Sequence, residues 1–70
     1  MDWRRRFIEV LQHDRAQHLS QIELLESGRC QVHEMRDGRF VDTTAEALER
    51  TRGYLAEVER LLGEEGVSDA

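Results

Sequence analysis

The stretch HDRAQH, His13 to His18, sets a carboxylate and an imidazole four residues apart. On a helix that spacing puts Asp14 and His18 on one face, one turn apart, within reach of a charge-assisted hydrogen bond. A carboxylate that orients an imidazole is the raw material of acid–base catalysis. Catalysis also needs a nucleophile or a pocket, and Ser20, Ser27 and Cys30 sit in no nucleophile motif. The chain is therefore expected not to be an enzyme, with no catalytic residue and no cofactor.

Asp14, His18, Cys30 and His33 are also ligand types suited to zinc and other transition metals. The segment CQVH places Cys30 and His33 three apart. On a strand, residues three apart point to opposite faces, so these two do not converge. The expectation is no metal site, these four being the only candidates. Cys30 then reads as a small buried hydrophobe, and His33 as a cross-strand partner of Asp42. The run WRRRF, Trp3 to Phe7, concentrates three Arg beside two aromatics and could meet phosphate or an acidic surface. Consecutive helical residues fan around the axis, so Arg4, Arg5 and Arg6 do not share a face. A solvated helix end, with Arg5 paired to Glu9, is the simpler expectation.

The whole-chain balance agrees. Ten basic and 15 acidic side chains in 70 residues leave a net charge of −5. Residues 1–35 carry five Arg against six acids, and residues 36–70 five Arg against nine. That distribution provides no broad basic face, so nucleic acid is not the expected partner. No apolar run approaches the length of a membrane span. With a single cysteine no internal disulfide can form, and a soluble, cytoplasmic protein is expected.

These side chains must be carried by a helix, a hairpin and a second helix. Asp2 can cap a first helix that ends at the Ser27-Gly28 breaker, covering about residues 3–26 and roughly 36 Å. Its stripe runs Trp3, Phe7, Leu11, Asp14, His18, Ile22, Leu25, at spacings of three and four. Ile8, Val10 and Leu19 widen it, and Leu24 lies off its centre. RDGR then holds the Asp37-Gly38 turn signal. A two-residue turn sets Arg36 opposite Arg39, Met35 opposite Phe40, Glu34 opposite Val41 and His33 opposite Asp42. Thr43 and Glu46 have capping-box spacing for a second helix, which Gly63 should stop. Its stripe is Leu48, Thr51, Leu55, Val58, Leu62, with Ala47, Tyr54 and Leu61 beside it. Gly53 in its interior is unfavourable by about 1 kcal/mol relative to Ala.

The fold class expected is α+β: a helix-dominated αββα unit over residues 1–63 with two long antiparallel helices, and a flexible acidic tail over 64–70. Aligning the stripes stacks Leu25 and Ile22 on Leu48, His18 on Thr51, Asp14 on Tyr54 or Leu55, Leu11 on Val58, and Phe7 on Leu62. Asp14, His18, Thr51 and Tyr54 would form a polar layer that sets helix register.

Two helices and a hairpin are too thin a layer for this many apolar side chains. A core of this size supplies no more than roughly 3–5 kcal/mol. A second copy about a two-fold axis is the expected remedy, giving a homodimer with a four-helix core. Trp3, Phe7, Leu11, Met35 and Phe40 join the polar layer as candidate interface residues. If the first helices of two copies cross, an antiparallel arrangement lets Asp14 meet His18 of the other chain. The function expected is a small non-enzymatic homodimeric module that binds another protein, in an adaptor or regulatory role. The alternatives are a metal- or ligand-responsive sensor using Asp14, His18 and Cys30, and a weak nucleic-acid binder using the Arg cluster.

Overall fold

The structure, a computed structural model, describes residues 2–67. The element order is α1 (Trp3–Ser27), β1 (His33–Arg36), β2 (Arg39–Asp42) and α2 (Thr44–Glu64). This is the expected helix-dominated αββα arrangement. Arg4 meets Glu65 at one end of the helix pair and Glu26 meets Arg52 toward the other, so the helices run antiparallel.

Local chemistry explains the boundaries of α1. Asp2 is the N-cap, its carboxylate accepting from the Arg5 N–H at 3.2 Å. Gly28 closes the helix at φ 79°, in the left-handed region that glycine enters without a Cβ penalty. The Gly28 and Cys30 N–H groups donate to the Leu25 and Leu24 carbonyls, satisfying acceptors that a helix end leaves free.

The hairpin takes the register read from its turn, from His33 opposite Asp42 to Arg36 opposite Arg39. Asp37 and Gly38 both have positive φ, 50° and 78°, as a type I′ turn requires. The ladder gains one further rung where the Thr43 N–H donates to the Val32 carbonyl at 2.8 Å.

The start of α2 departs from expectation. Thr43 is its N-cap, but no capping box forms. The Thr43 hydroxyl turns to the Val32 carbonyl, and Glu46 bonds the Arg36 guanidinium instead. Asp42 takes over the capping work, accepting from the Thr44 N–H at 2.9 Å and the Thr44 hydroxyl at 2.5 Å. The other end of α2 differs as well. Gly63 does not stop the helix, which runs on to Glu64, and the left-handed residue is Gly66 at φ 78°. The Val67 N–H then bonds the Leu62 carbonyl, and Val67 packs on the core. Of the expected tail, residues 68–70 lie outside the described residues.

The core is small and one-ended. Leu11, Val58 and Leu62 form it, with Phe7, Ile8, Leu61 and Val67 against it. Leu11 over Val58 and Phe7 near Leu62 are the expected layers. Toward the hairpin, the buried side chains are Ala47, Thr51 and Thr43. The molecule is long: 50 × 23 × 17 Å, with a radius of gyration of 15.3 Å. A compact chain of this length has a radius of about 11 Å.

Candidate interaction surface

His18 and Tyr54 come together, their ring centroids 5.9 Å apart at an interplanar angle of 34°. The rest of the expected polar layer is arranged differently. The Thr51 hydroxyl donates to the Ala47 carbonyl of its own helix at 2.8 Å. A β-branched hydroxyl one turn below a carbonyl has this partner built in, so it has no need of the imidazole. Asp14 is half-buried and makes no hydrogen bond or ion pair to His18. The His18 Nδ1 is buried with no hydrogen-bond partner among the described residues.

No group of three or more His, Cys, Asp and Glu side chains among the described residues could hold a metal ion. Asp14, His18, Cys30 and His33 therefore do not assemble into a site there. Cys30 is exposed rather than buried, a correction to its expected role as a core residue. It follows Gly28, where the chain has left the helix and has not yet entered the strand. The Arg cluster is partly engaged. The Arg4 Nε donates to the Glu65 carboxylate at 2.7 Å and its Nη2 to the Glu65 carbonyl. Arg5 lies 3.5 Å from Glu9, as its spacing predicts.

The hairpin shows an inverted pattern. Its inner face sets Val41 among Glu34, Arg36 and Arg39 and is held by charge: Arg36 donates to Glu46 at 2.7 Å and to Glu34 at 3.2 Å. The hydrogen bonds from Arg36 hold the Glu46 carboxyl below the usual range, and those to Glu46 and Glu34 raise the Arg36 guanidinium. Asp42 is likewise lowered, first by the Thr44 hydroxyl and then by the Thr44 backbone. The outer face instead carries the apolar pair, Met35 58% and Phe40 75% exposed. An isolated two-stranded hairpin is marginal in water, and one with its apolar face outward is more so.

A second apolar region lies beside it. A cleft of about 210 Å³ opens between Gln21, Leu24 and Leu25 of α1, Cys30 and Val32 of the connection, and Ala47 and Thr51 of α2. Gln21 also borders a shallower trough of about 390 Å³ along His13, Ala16, Gln17 and Ser20. Cleft and trough thus form one surface down the flank of α1. Sequence reasoning missed the cleft, although Leu24 off the stripe centre was its signal. Trp3, 72% exposed, stands at the far end of the same helix and touches Phe7 at a ring separation of 6.3 Å.

No family model, curated protein or solved structure matches the chain. Its function has to be argued from these surfaces alone. No helix among the described residues is long and apolar enough to cross a membrane.

Proposed function

We propose that this chain is a small, non-enzymatic protein-interaction module that works as a homodimer. The observation that carries the reading is surface. The chain exposes 5476 Å². A folded monomer of 8.2 kDa is expected to expose about 4,500 Å². The excess, roughly 900–1,000 Å², is about what one partner contributes to a standard interface, near 800 Å². The exposed large side chains include Trp3, Val10, Leu24, Met35, Phe40 and Tyr54. A non-enzymatic role is supported by the placement of the acid–base groups. Asp14 makes no hydrogen bond or ion pair to His18, whose ring lies against Tyr54 instead.

In the dimer the helix pairs supply a four-helix core, and the Met35–Phe40 face of each hairpin is left for a different protein. Binding to another copy stabilises the folded chain by mass action. The midpoint of thermal unfolding should therefore rise as protein concentration is raised over two decades. A midpoint independent of concentration, with a single cooperative transition, contradicts the homodimer.

A further inference from the structure

We propose that the dimer forms by antiparallel pairing of α1 with its own copy, so that Trp3 of each chain fills the apolar cleft of the other. This rests on the homodimer reading and specifies the surface it uses. Trp3, Val10, Gln17 and Leu24 are spaced seven apart along α1. Seven residues are close to two full turns, so these four lie along one side of the helix, where a second helix can be laid. The four positions are also symmetric about the point between His13 and Asp14. A two-fold axis there sets Trp3 against Leu24 and Val10 against Gln17, each pair occurring twice.

The surroundings fit that pairing. Leu24 borders the cleft of about 210 Å³, whose other walls include Leu25, Val32 and Ala47. A dry apolar cavity of about 150 Å³ suffices for benzene, so an indole has room here. Ala16 and Ser20 are small and leave the shallow trough that an approaching helix, with Val10 at its face, would occupy. Charge is modest along this seam. Two copies carrying −5 each repel, and among the described residues of α1 the carboxylates nearest the seam are its N-cap Asp2 and Asp14. Glu9, Glu23 and Glu26 project a quarter turn or more away at 100° per residue. The axis sets His13 of each chain level with Asp14 of the other, but the two flank the seam on opposite sides and make no ion pair across it. His18 is committed to Tyr54.

Trp3 and Cys30 test this directly, since each is the sole residue of its type. Within one chain they lie at opposite ends of α1, about 36 Å of helix apart. In the paired dimer they are neighbours across the interface. A Trp3→Cys variant, oxidised gently, should give a covalent dimer whose linked peptides join position 3 to Cys30. In the native chain, Trp3 emission should move to shorter wavelength as concentration brings the dimer together. Val10→Asp should raise the dissociation constant about 30-fold or more. Leu19→Asp, on the opposite flank at similar exposure, 42% against 49%, should leave it within about threefold. A dimer in which no peptide joins position 3 to Cys30, and in which Val10→Asp is no more harmful than Leu19→Asp, overturns this geometry and leaves the homodimer standing. A chain that stays at 8.2 kDa at every concentration overturns both.

Discussion

Leu62 is 1% exposed and sits where Leu11, Val58 and Val67 converge, so it bears the largest local load in this molecule. Leu62→Ala should cost about 2–5 kcal/mol, measured by denaturant unfolding. In so small a domain that is enough to unfold it. Thr51 is also buried, but its loss has a different consequence. Its hydroxyl serves a carbonyl that the helix already satisfies, so Thr51→Val should change stability by less than about 1 kcal/mol. A large loss there would restore the register-setting layer read from the sequence. Asp42 gives a pH signature. Its folded value lies below the ordinary 3.8, so its contribution is present above that pH and lost as pH falls through the folded value. The stability gap between the native chain and Asp42→Ala should therefore be open at neutral pH and close below pH 3.8. A gap that persists in acid would mean the cap acts without its charge.

At the scale of elements, what was legible in sequence was local. The limits of α1 follow from Asp2 and Gly28, and the hairpin register from Asp37-Gly38, because each signal acts within a few residues. What was not legible depends on competition from afar. Glu46 has the spacing of a capping box, but Arg36, ten residues back, outbids the Thr43 backbone through a charge-assisted bond. Gly63 reads as a stop, yet Val67 returning to the core and Arg4 gripping Glu65 draw the helix past it. The cleft at Leu24 needs three segments to define it, so Leu24 off the stripe centre signalled an uncovered side chain but not the cleft's other walls. The Arg36 contacts also make the hairpin separable. Arg36→Ala should speed amide hydrogen exchange in residues 33–42 while the Leu11–Leu62 region keeps its protection. Equal loosening of both would show that hairpin and helices open as one unit.

The molecule as a whole is long and sparsely filled, with an exposed Met35–Phe40 pair on its hairpin and an apolar cleft beside Leu24. Its core, gathered at one end, leaves the hairpin end resting on Ala47, Thr51 and exposed, solvent-screened ion pairs that contribute little. The proposed self-association would cover these surfaces with no further residue. Sedimentation equilibrium across micromolar concentrations, paired with thermal melts of the same samples, decides the matter. A species of twice 8.2 kDa that dissociates on dilution and loses its cooperative melt as it does so is the expected result. A particle of 8.2 kDa that melts cooperatively at every dilution would contradict it.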